Sequence, residues 1–100
     1  MAYLSLARFA GDPDALLATY TRSEPTMRTV GRDHDLLMHA AARTDVGLLI
    51  VNLWPSIEDS RRASEDPRRL AVMRDSAVEP EQIQYEHHEL DHYAMLACHR

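Results

Sequence analysis

Leu48-Leu-Ile-Val-Asn-Leu-Trp54 (LLIVNLW) decides the fold. It holds no Gly, Pro or charge, and Ile50, Val51 and Trp54 favour extended backbone. At a period of two, Leu48, Ile50, Asn52 and Trp54 share one face, and Leu49, Val51 and Leu53 share the other. Both faces are apolar, so both should be buried. Helices stacked on one side of a sheet cover only one of them. The other cover is expected from a second copy; the rival is a monomer with a single apolar sheet face, an aggregation hazard. A chain this short buries roughly 60–65% of its unfolded surface. A standard interface would hide about 800 Å² more per subunit.

Thr44-Asp45-Val46-Gly47 reads as the turn of a hairpin, which makes Leu36 to Arg43 the partner strand despite its alanines. Pro55-Ser56 ends the central strand. Ser56 with Asp59 three residues on suits a helix start, and that short helix runs to about Ala63. Asp66-Pro67 repeats the signal of a cap followed by proline. The next helix carries Leu70, Met73, Arg74, Ala77 and Val78, and Glu79-Pro80 breaks it.

Towards the N-terminus, Tyr3 to Phe9 is a strand with Tyr3, Ser5, Ala7 and Phe9 on one face and Leu4, Leu6 and Arg8 on the other. Gly11 ends it. Asp12 caps a helix that opens with Pro13. Leu16, Tyr20, Ser23, Met27 and Val30 form one stripe on that helix. The stripe keeps its phase across Pro25, which predicts one kinked helix capped by Gly31. Asp33-His34-Asp35 is a polar connector. Gln82 to Leu96 is a last, long strand, or a strand plus a terminal arm; it exceeds the usual ~5–6 residues, so the residues from Glu86 onward are expected to reach a second subunit.

The order strand, helix, strand, strand, split helix, strand predicts an α+β, ferredoxin-like split βαβ domain over residues 1–100. Its four-stranded antiparallel sheet carries helices on one face, and two copies are expected to pack sheet to sheet. The net charge of −5 disfavours nucleic acid and anionic lipid as partners. No apolar run reaches the ~18 residues of a membrane span, and Met1 to Arg8 lacks signal-peptide order, so a cytoplasmic homodimer is expected. A single cysteine, Cys98, excludes an internal disulfide and suggests no role. Three glycines make no phosphate loop, and no Ser-His-Asp elbow occurs.

Asn52 and Trp54 share a face and together can orient a planar oxygenated ring; the plain alternative is a core Trp beside an Asn bonded to backbone. His39 stands among Ala40, Ala41 and Ala42, which leave room for a cavity or for close packing. Tyr20 on the core stripe needs a partner for its hydroxyl or a pocket to point into. Four of six histidines lie between 87 and 99. His88 and His92 would stand about 13 Å apart on a strand, too far to share an ion, so no metal is expected. Arg61, Arg62, Arg68, Arg69 and Arg74 mix with acids around the split helix and read as a solvated face.

The stretch Leu37–Pro67 (LMHAAARTDVGLLIVNLWPSIEDSRRASEDP) resembles the central hairpin of the dimeric α/β-barrel superfamily, nearest to small antibiotic-biosynthesis-monooxygenase-like domains. The matching positions are His39, Gly47, Trp54, Ser56 and Glu58. That family includes cofactor-independent oxygenases of aromatic polyketides, haem degraders and members of unassigned activity. The resemblance implies a cofactor-independent monooxygenase acting on an aromatic or polyketide-type molecule. Asn52, Trp54 and His39 would be catalytic, and Tyr20, Met27 and Trp54 would bind substrate. The haem degraders' Asn, Trp and His set has no counterpart, since strand one has no Asn and no His lies on the helices after Trp54. The alternatives are a ligand-binding protein, a cyclase or isomerase on the same scaffold, and a dimer without chemistry.

Overall fold

Alternating apolar positions, two Asp-Pro helix starts and one apolar stripe settle into a four-stranded antiparallel sheet with its helices on one face. The computed structural model describes residues 1–96. The elements are β1 (Tyr3–Ala10), α1 (Pro13–Asp33), β2 (Met38–Thr44), β3 (Gly47–Trp54), α2 (Ile57–Ser64), α3 (Pro67–Asp75), a single 3-10 turn (Pro80–Gln82) and β4 (Ile83–Glu89). The sheet order is β2-β3-β1-β4, so β1 and β3 are central. This is the ferredoxin-like α+β arrangement.

The helix starts are chemically explicit. Asp12 accepts the Ala15 N–H at 2.9 Å, Ser56 accepts that of Asp59 at 3.2 Å, and Asp66 accepts that of Arg68 at 2.9 Å. α1 continues unbroken across Pro25 and ends at Asp33, not at Gly31. The terminating residue is Asp35, at φ 65°. It allows the Leu36 N–H to reach the Gly31 carbonyl at 2.8 Å and its own N–H to reach that of Arg32 at 3.2 Å. Gly31 is inside the helix because Leu36 folds back onto it; a Cβ there would sit 2.6 Å from Leu36 Cδ2. Gly47 is needed for another close approach, since a Cβ would fall 1.7 Å from the Phe9 carbonyl oxygen.

Three further boundaries differ from expectation. β2 begins at Met38 rather than Leu36, because Leu36 completes the α1 cap. α3 stops at Asp75, and Ala77 takes φ 60°, which leaves Ala77 and Val78 outside the helix. β4 covers Ile83–Glu89 and residues 90–96 run on beyond it, so of the two forms expected for Gln82 to Leu96 the strand with a terminal arm is found, starting one residue later. It is an edge strand, and its only neighbour begins at Tyr3, which pairs with Glu89. The ladder closes with the Leu90 N–H on the Ala2 carbonyl. Residues 90–96 continue outside the sheet.

The left-handed φ at Ala77 costs about 1–2 kcal/mol for a side-chain-bearing residue. Glycine's larger unfolded-state entropy, about 0.5–1 kcal/mol, offsets part of that. Ala77→Gly is therefore expected to raise the urea midpoint by the equivalent of up to about 1 kcal/mol. Asp66 joins α1 to α3: it meets Arg68 at 2.8 Å and His34 Nε2 at 3.0 Å, with 9% of its side chain exposed. Hydrogen bonds from the Arg68 side chain, then from His34, hold its carboxyl well below the ordinary value of 3.8. A depressed folded value stabilises the fold above that pH and fades below it. Asp66→Ala should lower Tm by several degrees at pH 7. The gap to the wild type, followed by circular dichroism, should shrink as pH falls below about 4.

Candidate active site

Strand register lays a polar row across the sheet. Asn52 on β3 stands opposite His39 on β2 and Ser5 on β1, and Ser5 stands opposite His87 on β4. The row faces the helices. The neighbouring row on the same face, Ala41, Ile50, Ala7 and Tyr85, is apolar but for one hydroxyl. Above them runs the α1 stripe of Leu16, Tyr20, Ser23, Met27 and Val30, spaced to keep one helix face towards the sheet. Between the two layers lies a cavity of about 200 Å³ walled by these side chains, with Trp54, α2 and α3 closing it.

The centre of the site is a hydrogen-bonded chain. The Tyr20 hydroxyl lies 2.5 Å from His39 Nε2, and His39 Nδ1 lies 2.6 Å from Asn52 Oδ1. A carboxamide oxygen only accepts, so in the neutral imidazole Nδ1 carries the hydrogen and Nε2 the lone pair. Tyr20 must then be the donor. Burial, followed by the nearby Glu24 carboxylate, pushes its phenol above the ordinary value of 10.0 and keeps it protonated, with Arg28 opposing. The Tyr20 and His39 rings stack with centroids 5.7 Å apart. Asn52 thus fixes the tautomer, and His39 presents a lone pair through Tyr20 to an apolar space. Such an arrangement can take a proton from an acidic substrate and return it later.

Trp54, 5% exposed, packs with Tyr3, Val30 and Ala63 in the core. Its indole nitrogen is the one buried side-chain polar atom without a hydrogen-bond partner among the described residues. A buried N–H left unpaired costs about 1–3 kcal/mol. An acceptor entering the cavity would relieve that cost.

All the residues singled out in the sequence, Asn52, Trp54, His39, Tyr20 and Met27, line this one cavity. Asn52, His39 and Tyr20 are in direct contact, and Asn52 bonds a side chain rather than backbone. Met27 and Trp54 form apolar wall. Sequence reasoning missed Ser5, Tyr85, His87 and Arg69. His87 stacks between Tyr3 at 5.6 Å and Tyr85 at 6.1 Å. The signal available was the shared parity of Ile83, Tyr85 and His87. Arg69 corrects the picture of a wholly solvated arginine face: successive helix residues turn by about 100°, so Arg68 meets Asp66 and Asp33 outside while Arg69 lines the cavity.

The other histidines lie elsewhere. His34 bonds Asp66, and His88 pairs with Glu86 at 3.3 Å on the opposite sheet face. His92 lies past the end of β4, whereas Cys98 and His99 fall outside the described residues. Among the described residues no three His, Cys, Asp or Glu side chains gather as metal ligands, and no helix is long and apolar enough to cross a membrane.

No family model matches the sequence, and no curated protein does. Solved structures do match. Rv0793 from Mycobacterium tuberculosis superposes with a TM-score of 0.73 at 15% identity, over 94% of this chain and 100% of that one. A dimeric protein of unknown function and ferredoxin-like fold from Bacteroides fragilis gives 0.69 at 8% identity, over 89% and 96%. SnoaB, a cofactor-independent oxygenase from Streptomyces nogalater, gives 0.61 at 16% identity, over 95% and 94%. Antibiotic biosynthesis monooxygenases are also among the matches. At these identities the likeness establishes the fold.

Proposed function

We propose, on the ferredoxin-like fold that this chain shares with antibiotic biosynthesis monooxygenases and SnoaB, that it is a cofactor-independent monooxygenase of small hydroxylated aromatic molecules. The observation that carries the reading is the Tyr20–His39–Asn52 chain in the wall of an apolar cavity. At about 200 Å³ the cavity falls below the ~300–1,000 Å³ of pockets for drug-sized ligands, which favours a compact ring system.

The substrate supplies all the electrons. Tyr20 takes the proton of a naphthol hydroxyl while its own proton passes to His39 Nε2. The naphtholate, electron-rich and shielded from water, gives one electron to O₂. The two radicals combine at the ring carbon para to the oxygen as a peroxide anion, which takes the proton held on His39 and becomes a hydroperoxide. That carbon then loses its hydrogen as a proton to His39, the O–O bond breaks, and the departing hydroxide takes that proton and leaves as water. One oxygen atom stays as the new quinone carbonyl, and the other becomes water. The Trp54 N–H offers a donor for charge developing on the ring oxygen.

The reading includes a homodimer. The sheet face away from the helices carries Leu4, Leu6, Leu49 and Val51, each half-buried, beside Met38 and Ala40, with Leu53 already buried at one end and Arg8 and Glu86 paired at its β4 margin. A second copy covers that apolar centre, where an uncovered face would be an aggregation hazard.

An oxygen electrode tests the activity with 1,8-dihydroxynaphthalene. One O₂ consumed per quinone formed, unchanged by chelator and without added flavin, is expected. Ligand binding to Trp54 without oxygen uptake would favour the binder or isomerase on the same scaffold.

A further inference from the structure

None of the sixteen aspartates and glutamates lines the cavity. The chain as a whole is acidic, at −5, yet among the described residues the only permanently charged side chain in the cavity wall is a cation, Arg69. Its neighbour Arg68 is committed to Asp66 and Asp33. Arg69 has no carboxylate partner among the described residues; its Nη1 donates to the Ser64 carbonyl at 3.1 Å, and that bond uses one of five N–H donors. Ser64 ends α2, the helix whose Ala63 packs on Trp54. The cation and the unpartnered indole N–H therefore border the same helix. A half-buried guanidinium facing apolar wall gains most from an anion that fits its planar fork.

We propose that the cavity selects an aromatic acid, whose carboxylate pairs with Arg69 while the ring lies along Trp54 and Met27. This deepens the reading above, since it specifies the substrate class of the same cavity. A hydroxyl on that ring points to the Tyr20–His39 end. Neutral aromatics of the same size share the apolar contacts and lose the ion pair.

Trp54 is the only tryptophan, so its emission reports on occupancy directly. The probes are 1-hydroxy-2-naphthoate and 1-naphthol, titrated without turnover in anaerobic buffer at pH 7.5, with calorimetry as a second readout. The acid is expected to bind at least tenfold more tightly than the naphthol. Its affinity should fall with added salt, and that of the naphthol should not. Arg69→Gln should erase the tenfold preference and leave naphthol binding unchanged. Arg69→Lys, which keeps the charge without the fork, should retain part of the preference. Equal binding of both probes by the wild type, an undiminished preference in Arg69→Gln with a native circular dichroism spectrum, or no binding of either probe would each overturn the proposal. These readouts need no oxygen chemistry. A protein that prefers the acid but consumes no O₂ refutes the oxygenase and keeps the acid site.

Discussion

His39→Gln is expected to lower kcat for dihydroxynaphthalene oxidation by about 10²–10⁴-fold, the usual loss when a positioned proton acceptor is removed. Gln holds an amide near the position of the ring but offers no basic nitrogen. Tyr20 would keep a polar neighbour and lose the base that takes its proton. KM should change little, because the apolar contacts to Trp54 and Met27 remain. Asn52→Leu should act through the same atom less severely, since it frees His39 to adopt the wrong tautomer without removing it. Tyr20→Phe should also reduce kcat, because the substrate hydroxyl must then find Nε2 unaided. If His39→Gln retains more than half of wild-type kcat while folded, His39 is a packing residue and the proton route is wrong.

The second large effect concerns assembly. Val51 sits in the middle of the outer sheet face, with Ala40 and Leu6 as its partners across the sheet. Val51→Asp places a carboxylate where the second copy would exclude water. An unpaired buried charge costs several kcal/mol. The dimer dissociation constant should therefore rise by about 10²-fold or more. Light scattering should give twice the chain mass of 11.4 kDa for the wild type and the single mass for the variant at micromolar concentration. A wild-type protein that is monodisperse at the single mass would remove the need for a covering copy.

Most of the fold was readable because the chain announces it locally. The β3 run fixes two faces by parity, and the Asp12-Pro13 and Asp66-Pro67 pairs mark helix starts that the structure places as expected. Boundaries set by distant partners were not readable. The end of β4 depends on where β1 begins, eighty-odd residues earlier. The end of α1 depends on Leu36 folding back onto Gly31. The site follows the same division. Parity put Asn52 and Trp54 on one face and the stripe put Tyr20 and Met27 on another. Register alone aligns His39, Asn52, Ser5 and His87 in one row, and no single strand carries that information. Arg69 was hidden among charged neighbours because composition averages over a helix whose faces differ.

Proton transfer from the substrate depends on the tautomer of a single ring, His39. Two-bond proton–nitrogen correlation spectra of the free protein, assigned with the His39→Gln variant, report which nitrogen of His39 carries hydrogen. The expected result is a proton on Nδ1, held by Asn52, and a bare Nε2 facing the Tyr20 hydroxyl. A proton resident on Nε2 at neutral pH would contradict it, because His39 would then donate to Tyr20 and leave the cavity without a base.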